Sequence, residues 1–249
     1  MSYSYLERFP ALDDVSLTIR RGEKIALIGA NGCGKSTLLK VLDGLVFPDT
    51  GTYRAFDAAV TEENLEDEQF SRGFRSRVGF VFQNSDAQVF SPTVREEIAF
   101  GPLNMGLTRD QVNARVDDTL TMLDITDLAE RAPYQLSGGQ KKRVAIASVL
   151  VMNPEVLLFD EPLGALDPMI RASLQDELAG LFRQLRKTVL FVTHDLAEAA
   201  FVADEIVLLR QGRIVLRGTA RDLLERPTEP FVTEFVRAQR VGMFADGAR

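Results

Sequence analysis

Residues 29–36, GANGCGKS, have the spacing of a phosphate-binding loop: a glycine, four residues, then Gly-Lys-Ser. In this motif glycines let backbone N–H groups wrap phosphate oxygens, Lys35 neutralises the outer phosphates and the Ser36 hydroxyl ligates Mg²⁺. The motif requires a buried strand before it and a helix after it, and KIALIG and KSTLLKVLDG fit those roles. The predicted phosphate site comprises Gly29, Asn31, Gly32, Cys33, Gly34, Lys35, Ser36 and Thr37.

Two carboxylates follow a second apolar run. VLLFDEP places Asp160 and Glu161 at the carboxyl end of a predicted buried strand, where ligands sit in open α/β sheets. An isolated Asp-Glu pair at a strand end is usually just solvated, but the phosphate loop gives this pair a function. We predict that Asp160 holds Mg²⁺ and that Glu161 is the base for an attacking water.

The stretch QLSGGQKKR, residues 135–143, reads locally as a helix start. Ser137 can cap the first turn while Gln140 reaches back, as in a capping box. Gly138 and Gly139 are poor helix formers, and they leave backbone N–H groups bare at the positive end of a helix dipole. Such an end suits an anion, so we expect an anion site at Ser137, Gly138, Gly139 and Gln140.

The remaining pattern indicates an α/β core. Alternation predicts a half-buried strand in LDDVSLTI, residues 12–19, and apolar runs predict buried strands in EVLLFD, TVLFVT and EIVLL. A hairpin at Gln211-Gly212 leads into RIVLRG. From Thr93 to Met152 helical signals dominate, including a capping box at 108–111, so we expect an inserted helical lobe. We interpret the acidic stretch 62–68 as a solvated loop.

Composition narrows the class of protein. The 249 residues carry a net charge of −7, which argues against nucleic acid as a partner. The single cysteine excludes an internal disulfide. We see no secretory signal and no apolar run of the roughly 18 residues that a membrane span needs, so we expect the chain to be soluble by itself.

The chain contains the motifs GANGCGKST, Gln83, LSGGQ at 136–140, FDEP, GALD and THD, in that order along the sequence. In these motifs and in their order it resembles the nucleotide-binding subunit of ABC transporters, and the resemblance runs over almost the whole chain. The resemblance implies an α/β fold: a phosphate-loop NTPase core with a RecA-like mixed sheet, helices on both faces and an antiparallel β part. We expect a single ABC ATPase domain over 1–249. The expected parts are a core at 1–84 and 154–228, a helical signature subdomain at 85–153, and a C-terminal helix and tail at 229–249.

The resemblance also implies ligands and roles. ATP and Mg²⁺ bind in a dimer, and the LSGGQ of each subunit closes the opposite phosphate site on the γ-phosphate. Gln83 senses Mg²⁺ and the γ-phosphate, Asp167 in GALD crosses the dimer interface, and His194, the only histidine, orients the attacking water. Tyr5 stacks on adenine, with Tyr3 as the alternative. Cys33 replaces a more usual serine, either as a tolerated small residue or as a redox-sensitive thiol whose pKa is lowered beside Lys35.

The partner follows from the segment after Gln83. FQNSDAQVFSPTVREEIAFGPLNMGL resembles the ATPases of energy-coupling factor importers, which take up cobalt, nickel or vitamins. This implies a second ATPase subunit, identical or a sister, and a transmembrane coupling or permease protein at the cytoplasmic face of the membrane. The C-terminal third instead resembles ATPases of binding-protein-dependent importers of betaine-type osmolytes. Two other classes stay open: an ABC ATPase of DNA repair or ribosomes, and an ATP-binding regulator without catalysis.

Overall fold

The chain alternates strands and helices around one central sheet. The computed structural model describes residues 1–225 and 229–245. The strands are β1 Tyr3–Tyr5, β2 Phe9–Leu12, β3 Lys24–Ile28, β4 Arg54–Ala55, β5 Ala58–Ala59, β6 Val78–Val81, β7 Val156–Asp160, β8 Thr188–Val192, β9 Glu205–Arg210 and β10 Arg213–Gly218. The helices are α1 Lys35–Leu42, α2 Glu62–Glu66, α3 Glu68–Arg77, α4 Ser85–Gln88, α5 Val94–Asn104, α6 Arg109–Met122, α7 Gly138–Leu150, α8 Pro168–Leu185, α9 Leu196–Val202, α10 Ala220–Glu225 and α11 Pro230–Ala245. Single 3₁₀ turns lie at Thr126–Leu128 and Pro133–Gln135.

The central sheet has six strands in the order β10-β9-β3-β8-β7-β6. All neighbours are parallel except the β9–β10 hairpin. Its turn is the predicted Gln211-Gly212, and both residues have positive φ, 47° and 78°, as a two-residue hairpin requires. Two small antiparallel pairs, β1–β2 and β4–β5, lie outside this sheet. The predicted mixed sheet with an antiparallel part is confirmed.

Apolar side chains cover both faces of the sheet. Successive strand residues point to opposite faces, so Leu158 packs with α1 and α3 while Phe159 packs with α5 to α8. A third cluster buries Ala26 and Ile28 of β3 beneath α9, α10 and α11. Because both faces are covered, the strand ends are left as the places where polar chemistry can be exposed.

The segment Thr93 to Met152 contains no strand, as predicted, and holds α5, α6 and α7. Val112, Val116 and Leu120 are buried along α6, and its capping box at Thr108 and Gln111 is present. The proposed division into a core and a helical subdomain remains a prediction. Residues 226–228 and 246–249, including the end of the predicted tail, lie outside the described residues.

Two local predictions are wrong. Residues 13–20 form no strand after β2, although Val15 is buried and Leu17 and Ile19 are half-buried as the alternation predicted. The chain bends at Asp14, whose φ of 50° is left-handed, so it packs against the core without joining a ladder. The acidic stretch 62–68 is exposed but helical, because Thr61 and Asp67 each cap a helix start.

Asp43 ends α1 in a buried setting, and burial raises the pKa of its carboxyl to about 7, opposed by Arg75. The folded chain therefore holds this proton more tightly than the unfolded chain, in which the pKa is 3.8. The contribution of the Asp43 carboxyl to the free energy of unfolding is therefore complete below pH 3.8. That contribution is lost as the pH rises from 3.8 to about 7.

Asp43→Asn is expected to raise the free energy of unfolding by roughly 1–4 kcal/mol at pH 8 and by less at pH 5. Urea unfolding at both values measures this, with exposed Asp118→Asn as the matched control. An equal gain at both values would show that Asp43 is ionised in the folded chain.

Candidate ATP site

The phosphate loop connects β3 to α1 through residues 29–34. Two of its glycines are sterically required. A Cβ at Gly29 would lie 2.3 Å from the Leu209 carbonyl oxygen, and one at Gly34 would lie 2.3 Å from that of Ala11. Both also have positive φ, 152° and 109°. The fold therefore brings β9 and β2 against the loop so closely that only glycine fits at these two positions.

Lys35 is the first residue of α1 and is buried within the loop. Its Nζ donates to the carbonyl oxygens of Gly29 at 3.0 Å and Ala30 at 3.2 Å. A buried ammonium at the N-terminus of a helix produces a strongly positive site, because the helix dipole adds to its charge. The charge of this site suits a polyphosphate.

Ser36 and Asp160 meet across the sheet edge, where Ser36 Oγ donates to Asp160 Oδ1 at 3.0 Å. Asp160 ends β7, and its burial raises the pKa of its carboxyl, opposed by this hydrogen bond. A hydroxyl beside a carboxylate is an oxygen donor set that fits Mg²⁺. Among the described residues, no group of three or more Asp, Glu, His or Cys side chains is arranged to hold a metal ion. Such a sparse set fits an ion that takes its other ligands from phosphates and water.

Glu161 lies at the centre of the site. One carboxylate oxygen is 3.8 Å from Lys35 Nζ, and the other accepts from Gln83 Nε2 at 3.1 Å and lies 3.6 Å from His194 Nδ1. Its backbone is left-handed, with a φ of 43°, a conformation that costs roughly 1–3 kcal/mol in a residue with a side chain. The turn after β7 thus holds this carboxylate where three predicted site residues converge.

Lys142 is a contributor to the site that the motif reading missed. It is buried in α7, and its Nζ donates to the carbonyl oxygen of Gln83 at 2.7 Å. Burial lowers the pKa of this amine to about 8, opposed by Asp160. The signal was present: Lys142, Ile146 and Val149 recur at helical spacing on the buried face of α7.

The predicted capping box at the start of α7 is present. Gln140 N donates to Ser137 Oγ at 3.3 Å, and Ser137 N donates to Gln140 Oε1 at 3.0 Å. The first-turn N–H groups of Gly138 and Gly139 have no acceptor one turn back. The two glycines differ, however. Gly138 is exposed in open space, whereas Gly139 is buried, and a Cβ there would lie 2.6 Å from Ile170 Cγ2.

This turn stands apart from the phosphate loop within one chain. No hydrogen bond or ion pair among residues 1–225 and 229–245 joins 137–140 to 29–37. The hydrogen bonds of the Asp167 carboxylate are likewise made away from the phosphate loop. This carboxylate caps α8 by accepting from Met169 N and Ile170 N. The structure therefore gathers one group of predicted residues around Glu161 and leaves a second group facing outward.

Three further predicted residues border the loop. Tyr5 OH lies 3.2 Å from Thr37 Oγ1, and Tyr3 packs edge-on against Tyr5 at 5.0 Å. Cys33 is only 7% exposed, and its burial raises the pKa of the thiol, with Lys35 opposing. The alternative of a redox-sensitive thiol with a lowered pKa is wrong, because the β9–β10 hairpin covers the loop, with Gly212 N donating to the Cys33 carbonyl oxygen at 2.9 Å.

Comparison with known proteins defines the class. A model of the ABC transporter family matches residues 12–164, more than half of the chain. The chain therefore belongs to the ABC transporter family and is an ATP-binding protein that hydrolyses ATP. The predicted family, fold and enzyme class are confirmed.

The chain is similar to three proteins of transporters. It is 47% identical to the nickel import ATP-binding protein NikO of Rhodobacter capsulatus over 221 residues, 87% of this chain and 86% of that one. It is 44% identical to the energy-coupling factor transporter ATP-binding protein EcfA of Methanoculleus marisnigri over 227 residues, 91% of this chain and 80% of that one. The structure of CbiO1 from Clostridium perfringens, part of the ABC transporter complex CbiONQ, superposes with a TM-score of 0.81 at 33% identity and covers 98% of this chain and 96% of that one.

Proposed function

We propose that this chain is the ATPase subunit of an energy-coupling factor importer and that two ATPase subunits close around two ATP molecules. The observation that carries this proposal is the split site: Glu161 lies among Lys35, Gln83 and His194, while Ser137 and Gly138 are exposed. Exposed first-turn N–H groups at a helix N-terminus suit a phosphate supplied from outside the chain. A two-fold dimer supplies two such phosphates from one sequence.

We assign the site residues the following roles. Lys35 and the loop N–H groups bind the phosphates, and Tyr5 stacks on the adenine. Ser36, Gln83 and Asp160 would hold Mg²⁺, which offsets negative charge on the phosphates when bound. Glu161 accepts the proton of the attacking water, and His194, whose Nδ1 lies 3.6 Å from the Glu161 carboxylate, orients that water. The partner's signature turn stabilises the charge of the γ-phosphate through its N–H groups.

An exposed apolar surface lies in the segment that follows Gln83. Phe90, 67% exposed, contacts Phe100 edge-on at 5.0 Å, and Leu103 lies one turn further along α5. We name Phe90, Phe100 and Leu103 the aromatic patch. A groove of about 660 Å³ between α3 and Met105 is lined by Asp67, Glu68 and Arg72, and Arg72 pairs with Glu68 at 2.9 Å. The exposed apolar patch suits the apolar face of an amphipathic helix, so we place the membrane protein here.

Over the described residues, no helix is both long and apolar enough to cross a membrane. We propose that the chain binds at the cytoplasmic face of the membrane through this patch. The NikO and EcfA relatives support this importer type, since their similarity spans about nine-tenths of this chain and so includes most of the C-terminal third. That third is where the sequence resembled osmolyte importers.

The test is to purify the tagged chain from gently solubilised membranes of its own cell and identify what copurifies. Recovery of a coupling protein with a small substrate-binding membrane protein supports the proposal, and the bound ligand names the cargo. Phe100→Ser should abolish recovery, while Leu224→Ser, an exposed leucine on α10, should not. A paired permease that depends on a soluble binding protein would favour the osmolyte importer, and ribosomes or DNA alone would contradict transport.

A further inference from the structure

An ion pair between a partly exposed arginine and a buried glutamate joins two helices that follow predicted interface and catalytic residues. Arg171 lies in α8 and Glu198 in α9, with Arg171 Nε 3.9 Å from Glu198 Oε1. Glu198 is only 8% exposed, and its burial raises the pKa of its carboxyl. A carboxylate taken so far from water needs partners, so its contacts are structurally demanding.

The first partner of Glu198 leads to His194. Thr193 Oγ1 donates to Glu198 Oε2 at 2.5 Å and accepts from Asp195 N at 3.0 Å. One hydroxyl therefore ties the carboxylate to the residues on either side of His194. Thr193 N is anchored in turn to the Leu27 carbonyl oxygen at 3.2 Å. The position of Glu198 fixes the turn that presents the His194 side chain to Glu161.

The second partner of Glu198 is Arg171, which also contacts the segment GALD, residues 164–167. Arg171 NH2 donates to the Leu166 carbonyl oxygen at 3.3 Å, and Arg171 N donates to that of Asp167 at 2.9 Å. A displacement of this segment by a neighbouring subunit therefore moves the guanidinium relative to Glu198. The same residues that precede α8 are those predicted to cross the dimer interface.

The contact between Arg171 and Glu198 is incomplete. Among the described residues, Arg171 Nε is the one buried side-chain nitrogen or oxygen that lacks a hydrogen-bond partner. At 3.9 Å the gap to Glu198 exceeds a hydrogen bond by less than 1 Å. A buried unpaired donor is unfavourable, so any movement of α8 toward α9 that closes this gap is favoured.

We infer that Arg171 and Glu198 are positioning residues that couple the Leu166–Asp167 segment at the dimer interface to His194. In the separated subunit the pair stays open, and closure of the dimer completes the hydrogen bond and fixes the Thr193 turn. This inference rests on the proposed dimer. It adds a route by which the binding of one subunit positions His194 in the catalytic site of the other. Neither residue touches ATP.

The test compares Glu198→Gln, Arg171→Met and the double variant, with exposed Arg183→Met on the same helix as control. Glu198→Gln keeps the shape and an acceptor for Thr193, so it preserves the fold even if Arg171→Met does not. We expect each single variant to bind ATP within twofold of wild type and to lose roughly tenfold in kcat with little change in KM. The double variant should lose no more than either single variant, because both act through one contact.

Additive losses in the double variant, or a change in ATP affinity that accounts for the lower rate, would overturn the inference. Unchanged kcat in Glu198→Gln would overturn it too. Failure of the proposed function is separately visible, since the Glu161→Gln chain would then show no ATP-dependent dimer. Arg183→Met must match wild type in both rate and affinity.

Discussion

Glu161→Gln is expected to abolish ATP turnover while leaving ATP binding intact. Glutamine has the same shape and can still contact Lys35, Gln83 and His194, but it cannot accept the proton of the attacking water. The loss of a positioned general base lowers kcat by about 10²–10⁴-fold. Phosphate release under saturating ATP and Mg²⁺ measures the rate, and equilibrium dialysis with ATP measures the affinity.

The matched control for that variant is Glu66→Gln, at an exposed residue on α2. Glu66→Gln should match wild type in both measurements. If Glu161→Gln retained more than a tenth of wild-type turnover, another group would be the base, and the left-handed turn at Glu161 would need a different explanation.

Gly138→Asp should stop hydrolysis without harming the folded chain. A Cβ at Gly138 meets no atom within 4 Å, and a carboxylate in the first turn of a helix is favourable to the helix. In the dimer the same carboxylate would face the partner's γ-phosphate. Two like charges about 4 Å apart at an effective dielectric of 20 repel by about 4 kcal/mol, which corresponds to a loss of roughly 10²–10³-fold.

The measurement pairs ATP affinity of the single chain with ATP turnover. The affinity for ATP should stay within about twofold of wild type, since the variant leaves the chain's own phosphate loop untouched. ATP turnover should fall by roughly 10²–10³-fold. Gly73→Asp is the control, because Gly73 is also an exposed helical glycine with open space around it. Weakened ATP binding by the isolated Gly138→Asp chain would place the signature turn in its own chain's site instead.

Short-range patterns in the sequence predicted much of the fold. The strand before the glycine-rich loop, the helix after it and the capping boxes at Thr108 and Ser137 depend on neighbours within a few residues, and the structure confirms them. The strand expected at 12–19 failed for a different reason. Alternation reports which side chains are buried, but a strand also needs a partner with free backbone groups, and that depends on the tertiary fold.

The missed features of the site all arise from residues distant in the chain. Cys33 is buried because a hairpin almost 180 residues later covers it, so a reading based on its neighbour Lys35 gave the wrong pKa direction. Lys142 reaches Gln83, and Arg171 reaches Glu198, through packing of separate helices. Local pattern identifies the type of residue that can do chemistry, whereas burial and partners follow from the fold.

The most direct test of the composite site is the molar mass of the Glu161→Gln chain in solution, measured by light scattering with saturating ATP and Mg²⁺ and without ATP. We predict one chain of 27.6 kDa without ATP and a particle of twice that mass, holding two ATP molecules, with it. A chain that binds ATP and keeps the mass of one subunit would contradict the account, because the signature turn at 137–140 would then have no phosphate to bind.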